Sequence, residues 1–168
     1  MRLTIIAIAC GFALSALAFT ASAAQTSYTL SGTCKTGIMK SIPAGDPGHT
    51  FAVQSGKCTD KEKVGTETST GGQYAEHDDM TATQSKGAGI YTVTFSSGDK
   101  IFYQYNLTLV MKNNAVQSGT GTFTAVGGTG KMKGVTAKGT CTFSAGPTSM
   151  SNNYSCTGNW EAAGATSP

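Results

Sequence analysis

Hydrophobic residues recur at every second position along most of the chain, a pattern typical of half-buried β-strands. The clearest run places six side chains on one face: Ile101, Tyr103, Tyr105, Leu107, Leu109 and Met111. In the preceding run, Tyr91, Val93 and Phe95 alternate with threonine and serine, and Ser97-Gly98-Asp99 supplies a turn between the two. We therefore predict a β-hairpin over residues 91–112.

Two further alternating runs near the C-terminus can be paired residue by residue. Folding the chain about Thr148 and Ser149 predicts three cross-strand pairs: Phe143 with Tyr154, Cys141 with Cys156, and Ala137 with Trp160. Large side chains then meet aromatic or small neighbours, as cross-strand packing favours. This register also makes a disulfide between the two cysteines geometrically easy.

Additional strands are predicted at residues 28–35, around Phe51 and Val53, at 74–84 and at 119–126, which brings the total to about eight. Short turns between successive strands favour an antiparallel meander, and its closure into an eight-stranded barrel would remove the exposed edges. A β-sandwich is the alternative all-β fold. The polar segment 61–73 is predicted to be a mobile loop, and residues 162–168 a disordered tail.

The N-terminus has the features of a secretory signal peptide. Arg2 precedes an apolar run from Leu3 to Phe19, and Ala21-Ser22-Ala23 forms an A-x-A cleavage site. We predict cleavage after Ala23, with residues 24–161 forming one domain that is secreted or periplasmic. The run is interrupted by small and polar residues, so we expect no membrane span.

Charge and cysteine content narrow the function classes further. After removal of residues 1–23, the chain has 11 lysines and 9 acidic residues, a balance too even for a nucleic-acid partner.

Four cysteines remain, Cys34, Cys58, Cys141 and Cys156, and an even number in an exported chain favours two disulfides. Three connectivities are possible, of which we favour Cys34 with Cys58 and Cys141 with Cys156, because each pair straddles a turn-rich segment.

The glycine-rich stretch 126–135 looks at first like a phosphate-binding loop. A P-loop around Gly130-Lys131 would require glycine at position 125 and Ser or Thr at 132, where the chain has Ala125 and Met132. A dinucleotide fingerprint fails as well, because Gly134 comes one position late. We interpret the stretch as a bend between two strands and predict no nucleotide cofactor.

The segment 119–143 resembles part of a known superfamily. Its G-x-G-x-F run at 119–123, its G-G-x-G-x-M-x-G-V turn at 127–135 and the strand that follows are similar to a segment of the allene oxide cyclase and dirigent-like β-barrels. The resemblance implies an eight-stranded barrel around a pocket for a lipid or phenolic molecule. It implies no catalytic residue, because none of the catalytic residues of the plant enzymes could be matched to a position here, and the predicted disulfides depart from the pattern.

Residues 74–80 carry the most reactive side chains. On a strand, Tyr74, Glu76, Asp78 and Met80 share one face, so two carboxylates would point into the interior, where burial raises a carboxyl pKa and suits it to proton transfer. The competing interpretation, which we favour, is that a bulge shifts the apolar face or that the acids lie at a rim in water. Glu76 and Asp78 are thus weak catalytic candidates.

Four aromatic residues, Tyr91, Phe95, Tyr103 and Tyr105, are candidates either for packed core or for the wall of a ligand pocket. The two histidines, His49 and His77, do not match a known set of metal ligands in their spacing, so we predict no metal.

The leading hypothesis is a β-barrel that binds a small apolar or phenolic molecule without catalysis. An isomerase or cyclase-like enzyme and a structural or interaction protein of the cell surface are the alternatives.

Overall fold

The computed structural model describes residues 25–161 as one antiparallel β-sheet of nine strands. The strands are β1 (Thr26–Pro43), β2 (Thr50–Asp60), β3 (Lys63–Val64), β4 (Glu67–Met80), β5 (Gln84–Phe95), β6 (Lys100–Lys112), β7 (Ala115–Gly128), β8 (Thr136–Ala145) and β9 (Ser151–Glu161). Within the described range the one helical segment is a 3-10 turn at Gly130–Met132. The predicted signal peptide and the predicted tail lie outside the described residues.

Eight of the nine strands form a closed ring. The strand order is β2-β1-β9-β8-β7-β6-β5-β4-β3, and β2 also pairs with β4, in continuous register from Thr50 opposite Met80 to Cys58 opposite Gly72. Only the short β3 lies outside the ring, as a small hairpin on β4. The all-β antiparallel prediction is confirmed, and the ring closure corresponds to its barrel form, in which backbone edges are paired.

Both hairpins predicted from alternation are present. Tyr91 of β5 lies opposite Tyr103 of β6, and Ser97-Gly98-Asp99 lies in the connection between these strands. The C-terminal register is confirmed at the three predicted pairs, 143 with 154, 141 with 156 and 137 with 160. Alternation and turn chemistry were sufficient here because both are local properties of the chain.

The four cysteines between residues 25 and 161 form the two favoured disulfides. Cys34 bonds Cys58 across β1 and β2, and Cys141 bonds Cys156 across β8 and β9. Disulfides of this kind are typical of proteins that fold in an oxidising compartment.

The prediction of a mobile loop at 61–73 is wrong. β3 occupies part of this segment and β4 begins at Glu67, while Glu62 is only 1% exposed. The inner face of early β4 carries Ser69 and Gly72 instead of large apolar residues, so the usual alternation signal is missing. Gly72 is needed there, because an added Cβ would lie 2.2 Å from the Tyr91 hydroxyl oxygen.

The ring has two distinct ends. At the mouth end lie the connections β1–β2, β4–β5, β6–β7 and β8–β9; at the base end lie β2–β3–β4, β5–β6 and β7–β8. The interior near the base is packed with apolar side chains such as Val93, Phe95 and Ile101, each at most 1% exposed. The chain therefore seals one end of the ring with its own core.

The glycine-rich stretch is a bend at the base end, as predicted. It joins β7 to β8 through the 3-10 turn, in which Gly130 has a φ of +49°. The Lys131 backbone N–H donates to the Asp99 carboxylate at 3.1 Å, and the Lys131 Nζ pairs with Glu67 at 2.8 Å. Both the backbone N–H and the ammonium group of Lys131 thus have acidic partners within the chain.

Candidate ligand cavity

A cavity of about 430 Å³ lies inside the ring. Its wall includes Met80, Asn114 and Met150, which lie at or beside the connections of the mouth end, so the cavity opens there. Deeper in, most of the wall is apolar or aromatic, with side chains such as Leu107 and Phe143. A volume of this size falls within the range of small-molecule pockets in proteins.

Three of the four aromatic pocket candidates line this cavity: Tyr91, Tyr103 and Tyr105. The fourth, Phe95, does not line it and is 1% exposed. Phe95 is the last residue of β5, at the base end, where the interior is filled. Its assignment to the pocket wall is therefore corrected to core.

Glu76 projects into the cavity from β4 and is held on both sides. Its Oε1 accepts a hydrogen bond from the Gln54 side-chain amide at 2.7 Å, and its Oε2 accepts one from the Tyr105 hydroxyl at 2.5 Å. The register explains the second contact: Glu76 lies opposite Gly89, and Gly89 lies opposite Tyr105. Glycine at this position leaves the space across which the two side chains meet.

Asp78 lies next to Glu76 on the same face but does not line the cavity. Its Oδ2 accepts from Gln54 at 2.8 Å and its Oδ1 from the Ser85 hydroxyl at 2.9 Å. The interpretation that the two acids lie at a rim in water is wrong, since Glu76 is 8% and Asp78 2% exposed. The pairing of β4 with β2 and β5 is unbroken between residues 74 and 80, so no bulge turns these side chains outward.

Burial sets the protonation state of these acids. It raises the pKa of Glu76 to about 8, with the neighbouring Asp78 charge adding to the effect, and it raises the pKa of Asp78 as well. At neutral pH Glu76 is therefore largely a neutral carboxylic acid that faces the cavity. We name Gln54, Glu76, Asp78, Ser85 and Tyr105 the cavity cluster.

A second group of acids and phenols lies toward the base end, and we name Asp60, Glu62, Tyr91, Tyr103 and Tyr154 the base cluster. The hydroxyls of Tyr91 and Tyr154 both donate to Asp60 Oδ1, and the Tyr103 hydroxyl donates to Glu62 Oε1 at 2.6 Å. Burial raises the pKa of Glu62 to about 7. The three tyrosine side chains line the cavity, so this cluster lies behind the cavity wall.

Sequence reasoning missed the base cluster. Asp60 ends β2 and Glu62 follows two residues later, within or beside the polar segment that the sequence predicts to be a loop. One signal in the sequence points to such a cluster: several tyrosines face inward, and a buried tyrosine hydroxyl needs a hydrogen-bond partner. On the outside of the base end, Asp60 and Glu62 also line an open cleft of about 540 Å³ together with Tyr28 and Trp160.

Neither histidine lines the cavity. His49 Nε2 contacts Asp79 Oδ1 at 2.5 Å, and His77 is exposed on the outward face of β4. Across residues 25–161, no group of three or more His, Cys, Asp or Glu side chains is placed to hold a metal ion. In the same part of the chain, no helix is long and apolar enough to span a membrane.

These features define a small disulfide-bonded protein with a closed antiparallel β-sheet around an internal cavity. Among solved structures, the chain is similar to the pterocarpan synthase dirigent protein, with 15% identity, a TM-score of 0.40, and coverage of 92% of this chain and 99% of that chain. No protein-family model matches the chain, and no match was found among curated proteins.

Proposed function

We propose that this protein is exported and binds one small molecule, apolar or phenolic in character, inside the cavity. The observation that carries the proposal is a cavity of about 430 Å³ in the interior of a ring whose other half is densely packed. Sites for small molecules combine an apolar wall with a few polar groups that fix orientation. Here Tyr91, Tyr103 and Phe143 supply the wall, and Glu76 with Tyr105 supplies the polar groups.

The state of Glu76 favours a neutral ligand with a hydroxyl group. With a pKa of about 8, the carboxyl is largely protonated at neutral pH and can both donate and accept a hydrogen bond. A ligand carboxylate beside it would also lie close to Asp78, and like charges in a buried site disfavour each other. A phenol meets none of this repulsion.

The first test is native mass spectrometry of the protein purified gently from its exported fraction, before and after denaturation. A mass that is lost on unfolding would identify the ligand. In parallel, the neutral probe N-phenyl-1-naphthylamine is titrated by fluorescence, and 2-naphthol is used to displace it. We expect saturable probe binding and competition by the phenol.

A matched pair of variants on one strand locates the binding site. Leu109 faces the cavity and is 5% exposed, whereas its neighbour Val110 points outward and is 50% exposed. Leu109→Trp fills the cavity and should abolish probe binding, while Val110→Trp should leave it unchanged. Equal binding by both variants would place the probe outside the cavity and refute the proposal.

A second candidate function, an isomerase or cyclase-like activity, is favoured by one contact. The Glu76 carboxyl accepts a 2.5 Å hydrogen bond from Tyr105 and faces the cavity with a pKa close to neutral, as general acid–base catalysis requires. Once a bound compound is identified, it is incubated in D2O with the wild type and with Glu76→Gln. Deuterium uptake at carbon only in the wild type supports catalysis; no uptake in either leaves binding alone.

A further inference from the structure

Four of the six methionines of the chain line the cavity: Met39, Met80, Met111 and Met150. They come from separate parts of the ring. Met80 ends β4, Met111 is next to last in β6, Met150 immediately precedes β9, and Met39 lies in the last third of β1. All four are thus brought to the mouth end by strands that are not consecutive in the chain.

At the mouth end, the hydrogen-bonded pairing between β1 and β9 is interrupted. Their pairing stops at Lys35 opposite Ser151, although β1 continues to Pro43 as a hairpin with β2. Met39 lies on the part of β1 that pairs with β2 alone, and the Thr36 backbone N–H donates to the Met150 carbonyl at 2.9 Å where the pairing with β9 ends. Two methionines therefore flank the opening.

The four side chains are accessible, in contrast to the methionine at the opposite end. Met39 is 40% and Met150 47% exposed, and Met80 and Met111 are half-buried. Met132 at the base end is 3% exposed. Thioether side chains are flexible and polarisable, so they adapt to apolar surfaces of different shapes.

We propose that these four methionines form a collar that admits neutral, mainly apolar ligands, and that their oxidation closes the cavity to such ligands. This inference rests on the proposed binding function. In the oxidation step, each sulfur takes one oxygen atom from hydrogen peroxide, which is reduced to water. The product, methionine sulfoxide, is polar, so the collar changes from an apolar to a polar surface while the aromatic wall below it is unaltered.

The test uses N-phenyl-1-naphthylamine with the mature wild-type protein and two fourfold variants, Leu and Gln at positions 39, 80, 111 and 150. Intact-mass and peptide mass spectrometry report which methionines gain oxygen after peroxide treatment, with Met132 as the internal control. We expect oxidation at the four collar positions and a rise in the probe Kd of about tenfold, because the apolar probe then contacts polar sulfoxides in place of thioethers. Methionine sulfoxide reductase should restore the affinity.

The variants separate the possible causes. The Leu variant should bind the probe with nearly wild-type affinity before and after peroxide, and the Gln variant should bind about tenfold more weakly without any oxidant, because it places polar groups at the same positions. If oxidised wild-type protein binds the probe as tightly as untreated protein, or if peroxide weakens the Leu variant equally, the collar inference is wrong. Absence of probe binding to untreated wild-type protein overturns the proposed function itself, and the collar with it.

Discussion

The cavity cluster and the base cluster place the same chemical groups, two acids and one or more tyrosine hydroxyls, in different surroundings. In the cavity cluster, Glu76 has two donors, Gln54 and Tyr105, and faces open space. In the base cluster, Glu62 has Tyr103 as its side-chain donor, and its Oε2 has no hydrogen-bond partner among the described residues. The first cluster thus presents a carboxyl group to the cavity, whereas the second joins strands behind the cavity wall.

The two clusters also differ in the glycine that makes room for their side chains. Gly89 provides the space in which Glu76 and Tyr105 meet, and Gly72 provides the space under the ring of Tyr91. At Gly89 an added Cβ would lie 2.3 Å from a backbone oxygen, that of Ala75. The cavity cluster is therefore more sensitive to a change in its glycine, because a strand backbone moves less readily than a side chain.

The largest effect is expected from Gly89→Ala. The new methyl group would clash with the Ala75 carbonyl and with Glu76 Cβ at 2.6 Å, so we expect a loss of about 3 kcal/mol in the free energy of unfolding and loss of probe binding. Urea unfolding and the probe titration measure the two.

Gly37→Ala is the matched control, since its nearest atom would lie at 3.7 Å, an ordinary contact. If Gly89→Ala were as stable as this control, the close approach of the two strands in the cavity cluster would be refuted.

Tyrosine-to-phenylalanine changes compare the two clusters directly. Tyr103→Phe removes the side-chain donor that Glu62 has, so a buried carboxyl loses its hydrogen bond at a cost of about 2 kcal/mol. Tyr105→Phe leaves Glu76 bonded to Gln54 and should cost about 1 kcal/mol. Urea unfolding of both variants at pH 6 measures the two losses in the free energy of unfolding. A larger loss for Tyr105→Phe would contradict the conclusion that Glu62, and not Glu76, depends on a single side-chain donor.

Stability should fall as the pH rises from about 5 to above 8. The folded-state pKa values of Glu62 and Glu76 are about 7 and about 8, above the ordinary value of 4.5. The folded state therefore holds protons that the unfolded chain has released, so the stabilisation is complete below the unfolded pKa and is lost as the pH passes the folded one. Each pKa unit corresponds to about 1.4 kcal/mol.

Thermal unfolding of the wild type, Glu62→Gln and Glu76→Gln across this range checks the prediction. Each Gln variant removes one titrating group, so its melting temperature should fall less with pH than that of the wild type. The effect of Glu76→Gln should extend to higher pH than that of Glu62→Gln, because the pKa of Glu76 is the higher of the two. A wild-type melting temperature that rises between pH 5 and 8 would contradict the raised pKa values.

The smallest effect concerns ligand binding and protonation. A bound neutral probe displaces solvent from the cavity beside Glu76, so it should raise the Glu76 pKa further, while the Glu62 pKa, behind the wall formed by Tyr103, should stay the same. Carbon-13 NMR titration of the glutamate carboxyls with and without N-phenyl-1-naphthylamine measures both. An equal change at both residues would mean that the probe acts on the whole ring and not on the cavity cluster.

Part of the candidate site was within reach of sequence reasoning. Placing Tyr91, Tyr103 and Tyr105 on inward faces followed from period-two alternation, and the same rule put Glu76 and Asp78 on one face. The rule could not say whether that face lies in water, because a single bulge reverses it. Phe95 was misassigned for a similar reason: alternation gives the face of a strand but not the depth at which the interior becomes filled.

By itself, the sequence determined most of the strands, the hairpin of β5 with β6, and the register of β8 with β9 that sets Cys141 opposite Cys156, because alternation and turn residues act over a few neighbouring positions. Only the tertiary structure decided that β2 pairs with β4 to close the ring, that Asp60 and Glu62 meet three tyrosines, and that four methionines surround one opening. These contacts join residues far apart in the chain. They depend on the stagger of all eight strands around the ring, which no local pattern specifies.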